Sequence, residues 1–148
     1  MDDRGVSVAV SHAVTLGIAT ILITGLLLGG SQLLEDQKQR VAESGLENVG
    51  AAVMSEIDQF DAYNTSAVDG NLSVRTNQPE RLAGATYDVR LFADADGAQL
   101  RLRASEVDRV VRIRFENQTS VCESTVTGGD MRVGYDATRD CLYLEGGV

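Results

Sequence analysis

The chain has 148 residues, 43% of them hydrophobic, with 22 acids against 13 bases and a formal net charge of −9. So acidic a surface lacks the basic footprint that phosphate backbones require, which sets nucleic acid aside as a partner. The apolar residues are also unevenly spread, because no Asp, Glu, Lys or Arg occurs from Gly5 to Leu34, and an evenly mixed cytosolic enzyme does not have that pattern.

Val6 to Gly30 is a run of Val, Ala, Leu, Ile, Gly and small hydroxyl residues with His12 inside it. As a helix it spans roughly 37 Å, enough to cross a hydrocarbon core of about 30 Å with some tilt. A secretory signal peptide fits poorly, since Met1-Asp2-Asp3-Arg4 is acidic and Glu35 and Asp36 follow the apolar residues closely. Arg4 on one side and Lys38 and Arg40 on the other leave orientation open by charge alone. Ser7, Ser11 and Thr15 recur every four residues on one face, and Gly25 and Gly29 form a small-xxx-small pair. Both patterns suit a helix that packs on copies of itself, and both are also common in membrane helices. His12 is expected to be a neutral, hydrogen-bonded packing residue, because no acid or cysteine shares its segment to build a metal site.

Asp2-Asp3-Arg4-Gly5-Val6-Ser7, followed at once by the apolar helix, resembles the start of haloarchaeal type IV pilin-like proteins, whose class III signal peptides are cut before the hydrophobic segment. The resemblance covers about the first 60 residues. It implies that a prepilin peptidase cuts between Arg4 and Gly5 and that the apolar helix stays in the mature protein. Two positions depart from the pattern. Val8 stands where many haloarchaeal pilins have Pro, and Ala9 where bacterial pilins have a Glu at the fifth mature position. A charge pairing with the neighbouring subunit's N-terminus is therefore not implied.

Residues 31–148 hold 20 of the 22 acids and 12 of the 13 bases, a net charge of −8, and Lys38 is the only lysine. Acid excess with so little lysine suits a protein kept soluble in concentrated salt, where repulsion is screened over about 3 Å or less. The apolar periodicity continues into this charged region. Leu34, Val41, Leu46, Val49, Val53, Ile57 and Phe60 follow one helix face, with Glu35, Asp36, Lys38, Gln39, Arg40, Glu43 and Glu47 on the others. With no proline to interrupt it, a helix from Gly5 to about Asp61 would be roughly 85 Å long. Gly45 and Gly50 mark either a bend or a close approach by another element.

Asp61 to Asn71 reads as a polar connector, and alternation then takes over. Tyr87, Val89 and Leu91 oppose Asp88 and Arg90; Leu100 and Leu102 oppose Arg101 and Arg103; Val111, Ile113 and Phe115 oppose Arg112 and Arg114. Asp94-Ala95-Asp96-Gly97 supplies a turn, so Ala85 to Ala104 is expected to be a hairpin. Shorter strands are expected at Ser120 to Val126, Met131 to Tyr135 and Cys141 to Glu145, forming an antiparallel meander with one face on the helix. The expected fold is α+β, divided into a leader (1–4), a transmembrane or filament-core helix (5–30), its amphipathic continuation (31–61) and an extracellular β domain (62–148).

The outward arginines, Arg90, Arg101, Arg103, Arg112 and Arg114, are expected to be a solvent face paired with Asp88, Glu106 and Glu116, with an anion or glycan site as the sharper alternative. Asp94-x-Asp96-Gly97 resembles the opening of a calcium loop but has no suitably placed closing Glu, so no metal is expected there. Cys122 and Cys141, the only cysteines, suggest one disulfide. Asn64, Asn71 and Asn117 head N-x-[ST] sequons and are glycosylation candidates.

The chain has no Gly-rich phosphate loop, HExxH or CxxC, and no histidine outside the apolar segment to serve a nucleophile. No enzymatic activity and no cofactor are expected. The leading expectation is a type IV pilin-like subunit held in the cell membrane and assembled with other such subunits into a surface filament, in adhesion or a related role. The alternatives are a single-pass anchored binding protein that does not polymerise, and a minor component that primes or caps a filament.

Overall fold

The computed structural model describes residues 3–62 and 72–147, with side chains of the first helix described from residue 10 onward. That helix, α1, runs Asp3–Ala62 without a break. It is followed by strands β1 (Leu72–Thr76), β2 (Arg81–Leu82), β3 (Ala85–Thr86), β4 (Asp88–Asp94) and β5 (Gly97–Ala104). A 3-10 turn at Ser105–Val107 then leads to β6 (Arg109–Phe115), β7 (Ser120–Val121), β8 (Ser124–Thr127), β9 (Met131–Asp136) and β10 (Cys141–Gly146). The fold is α+β. Two compact units divide the chain, Met1–Gln37 and Lys38–Val148, so the second takes in the latter part of α1 together with all the strands.

In the first unit α1 carries Leu16, Ile21, Leu26 and Leu33, all well exposed. Its window is long and apolar enough to cross a membrane, and none of it is buried within the chain. The threonine hydroxyls that interrupt this surface are satisfied locally. Thr15, Thr20 and Thr24 donate to the carbonyls of Ser11, Leu16 and Thr20, four residues back, at 2.8–2.9 Å. A hydroxyl closed onto its own helix costs little in an apolar medium.

In the second unit the buried face of α1 is Ala42, Leu46, Val49, Val53, Ile57 and Phe60. The stripe expected from hydropathy is corrected at its start, where Leu34 and Val41 are exposed and the small Ala42 takes the packed position. Gly45 and Gly50 answer to close approach. A Cβ on Gly45 would stand 2.7 Å from Leu82 Cδ2, and one on Gly50 would stand 2.6 Å from Ile113 Cδ1 and 3.2 Å from Leu102 Cδ1.

The strands form two four-stranded sheets and a small hairpin in place of the single meander expected. One sheet has the order β6-β5-β4-β8 and the other β1-β9-β10-β7, while β2 pairs with β3 alone. The expected hairpin at Ala85 to Ala104 is therefore shorter: β4 and β5 register from Asp88↔Arg103 to Asp94↔Gly97, and Ala85–Thr86 belongs to β3. The Ser120 to Val126 strand divides at Cys122 and Glu123, since β7 pairs with β10, in parallel, while β8 pairs with β4. At that crossing Cys122 N donates to Leu142 O at 2.8 Å and Leu144 N to Ser124 Oγ at 2.8 Å, stitching the two sheets together. Cys122 and Cys141 form a disulfide there, with Cα atoms 5.4 Å apart. One core joins the α1 stripe to Val89, Leu91, Leu100 and Leu102 from the first sheet and to Met131, Val133, Leu142 and Leu144 from the second.

Three expected outcomes test this packing by denaturant unfolding of the full chain in detergent. Leu46→Ala, at a fully buried position, costs about 2–5 kcal/mol, whereas Val41→Ala, at a position 60% exposed, changes stability by less than about 0.5 kcal/mol. Replacing both Cys122 and Cys141 by Ser opens a loop with a sequence separation of 19 and lowers stability by about 3 kcal/mol in the chain-entropy account.

Candidate interaction surfaces

Two surfaces stand out, the apolar half of α1 and the outer face of the β6-β5-β4-β8 sheet. On the first, the processing residues Arg4 and Gly5 and the packing residue Ser7 lie where the helix backbone is described and the side chains are not. Ser11 and Thr15 are exposed and joined to each other by the Thr15 hydroxyl, 2.9 Å from Ser11 O. Gly25 and Gly29 face open space, since a Cβ at either would meet nothing within 4 Å. With Ile21, Leu22, Leu26, Gly30 and Leu33 they line a shallow open groove along the helix. His12 is exposed in the same segment.

The second surface follows from strand register. Residues directly opposite one another in a sheet share a face. The pairings Arg90↔Thr125, Arg90↔Arg101 and Arg101↔Arg112 therefore make one outward row, and Asp88↔Thr127 and Asp88↔Arg103 make the next. All five arginines expected on the solvent face lie on this side of the sheet. Their partners differ from those expected. Arg90 pairs with Glu123 and Arg114 reaches Asp96 at 4.0 Å. Asp88 instead accepts from the Thr127 hydroxyl at 3.2 Å, and Glu106 accepts from the Thr86 hydroxyl at 3.0 Å. The guanidinium carbons of Arg90 and Arg101 lie 5.2 and 5.6 Å from the centre of the Phe92 ring, within cation–π range. Sequence reasoning missed Phe92 and Glu123 because neither belongs to the Arg/Leu alternation that revealed the ladder.

The Asp94 turn is saturated by the protein itself. Asp94 Oδ1 accepts from Asp96 N at 2.9 Å and Oδ2 from Gln99 Nε2 at 2.5 Å, which is a hairpin turn. Among the described residues no group of three or more potential ligands is placed to hold a metal ion. Of the glycosylation candidates, Asn64 and Asn71 lie outside the described residues. Asn117 is described, and its Nδ2 donates to the carbonyl of Thr119 in its own sequon.

That loop is tied to the helix by Asp61, which lies in the last turn of α1 at the start of the expected connector. Its carboxylate accepts from Gln118 N at 2.8 Å and from Thr119 N at 2.9 Å. Burial acts to raise its pKa, but the two amide N–H groups and the Thr119 hydroxyl outweigh it and hold the carboxyl below its ordinary 3.8. At the other end of the packed stripe, Arg109 donates to Gln39 Oε1 at 2.6 Å and lies 3.7 Å from Glu43. The helix is thus fastened to the sheets by polar contacts at both ends of its buried face.

Residues 1–145 match the model of DUF7266, a family of unknown function, and the chain belongs to that family. No curated protein and no solved structure matches it.

Asp61→Ala is expected to cost about 1.5–3 kcal/mol, the range for hydrogen bonds to a charged group. Because the folded pKa is lowered, the carboxylate's contribution is fully present above the unfolded value and is lost as pH falls through the folded one. Acid titration of unfolding stability should therefore show a shallower loss in Asp61→Asn than in the native chain.

Proposed function

We propose that this member of the DUF7266 family is a type IV pilin-like subunit of an archaeal surface filament, working in high salt and without catalytic activity. The observation that carries the reading is the two-part helix. One unbroken α1 is apolar and exposed over its first part and amphipathic and buried under β-sheets over its second. A helix of this kind needs two solvents, lipid before assembly and copies of itself afterwards. The glycine-lined groove at Gly25 and Gly29 offers a place where a second helix approaches closely. Other subunits and the membrane are the partners, and a prepilin peptidase is the processing enzyme.

In this reading the chain enters the membrane as a single-pass precursor with its β unit outside the cell, and cleavage before Gly5 commits it to assembly. An extracellular position agrees with the Cys122–Cys141 disulfide. Glycosylation of Asn117 would then precede or locally open the folded loop, because its amide nitrogen is occupied. A second reading, an anchored surface protein that does not polymerise, draws on Ala9, which removes the acid that bacterial pilins carry at that place.

Mass spectrometry of the mature N-terminus separates the two. Recovery of Gly5 as the first residue, with loss of processing and of filament incorporation when Arg4 and Gly5 are substituted, is the expected result. Recovery of Met1 or Asp2 overturns the pilin-like reading.

A further inference from the structure

The arginine face poses an electrostatic problem that the chain does not solve internally. In an acidic protein, Arg90, Arg101 and Arg112 stand directly opposite one another across three strands, and like charges in that register destabilise a sheet. Among the described residues only Arg90 of this row has an ion-pair partner. A cleft of about 210 Å³ opens beside the row, lined by Asp88, Arg90, Arg101, Arg103, Ser105 and Thr125.

The contents of that cleft are specific. Arg90 and Arg101 are held over the Phe92 ring, so part of their side-chain entropy is already spent before anything binds. The Nε of Arg90 is shielded from solvent and has no hydrogen-bond partner. The hydroxyls of Ser105 and Thr125 add two groups able to donate. The paired N–H groups of guanidinium match two oxygens of a carboxylate or a sulfate in a bidentate fork. Asp88 is the one carboxylate lining the cleft. An inorganic anion gains nothing from a carboxylate at its edge, whereas an anion that also carries hydroxyl groups does.

We propose that the cleft formed by Arg90, Arg101 and Arg103 binds the carboxylate or sulfate group of an acidic sugar, with Asp88 accepting a hydrogen bond from one of the sugar's hydroxyls. The guanidiniums supply the attraction and Ser105 and Thr125 the remaining donors. Asp88 supplies the preference for a sugar over a bare anion. The site lies wholly within the Lys38–Val148 unit, so binding does not depend on N-terminal processing or on assembly.

The test is an NMR titration of the full chain in detergent micelles at low ionic strength, following the arginine Nε–Hε resonances with glucuronate, inorganic sulfate and glucose as probes. Glucuronate is expected to shift Arg90, Arg101 and Arg103 at lower concentration than sulfate does, and glucose to leave them in place. Arg101→Gln/Arg103→Gln, checked by its intact disulfide and unchanged backbone spectrum, should weaken glucuronate on the order of tenfold or more. Arg103→Gln alone, at an exposed position, gives the same direction should the double variant not fold. Asp88→Asn should remove the advantage of glucuronate over sulfate while leaving sulfate binding intact. The proposal is overturned if glucuronate shifts none of the three arginines, if the arginine variants bind it as the native chain does, if sulfate binds as well as glucuronate, or if glucose produces the same shifts.

Discussion

The structure of the Lys38–Val148 unit depends on one constraint, the close approach of the second part of α1 to the inner faces of the two sheets. Ala42, Leu46, Val49, Val53, Ile57 and Phe60 are all almost fully buried, and a helix with that stripe has no stable place in water without a cover. Gly45 and Gly50 allow the cover to come within reach of the helix backbone, where Leu82, Leu102 and Ile113 fill the space a larger residue would take. These glycines weaken the helix locally by about 1 kcal/mol each relative to alanine, and the contacts they permit offset that loss. Once the inner faces are committed to the helix, strand alternation leaves the arginines only the outer face.

The first part of α1 obeys a different rule. Its apolar residues are not arranged as a stripe, and its threonine hydroxyls close back on the helix's own carbonyls, so those threonines do not call for water. Such a segment is stable in hydrocarbon or among its own copies, because either surrounding removes the same apolar area from water. The two requirements meet within one helix with no proline between them, and the change of environment is written only in the switch from uniform to periodic hydropathy.

That switch, and the strand alternation of β4, β5 and β6, were legible because both are local patterns with fixed periods. The α+β class and the outward placement of the five arginines followed from them. The division into two sheets did not, because it rests on pairings between distant segments, such as Leu72↔Tyr135 and Cys141↔Ser120, that no local period encodes. Ala42 was passed over for Val41 because hydropathy ranks valine higher, while a tight helix–sheet contact selects for small volume. The partners of the arginines were misjudged for a related reason. Asp88 lies opposite Arg103 in register, yet its carboxylate takes the Thr127 hydroxyl on the other side, and a choice between two neighbours is made by side-chain geometry. Asp61 escaped notice because an acid at a helix C-terminus opposes the helix dipole and gives no favourable signal until the loop it holds is in place.

The distribution of charge bears on how such a chain would act at a surface. Outside residues 1–30 the net charge is −8, so two copies repel at long range unless salt screens them. In the proposed filament, contacts between copies would therefore fall to the uncharged first part of the helix, while an arginine face within an acidic unit would discriminate by short-range hydrogen bonding, which salt screens less than distant attraction. A single cleft holding one oxyanion at the protein surface binds weakly. Repeated along a filament of identical subunits, the same cleft would meet a repeating acidic glycan at many points, and effective concentration would turn weak individual contacts into firm attachment without any new one. Assembly through the helix and recognition through the sheet would then be separate in structure and joined in effect, since the first sets how many copies of the second are presented together.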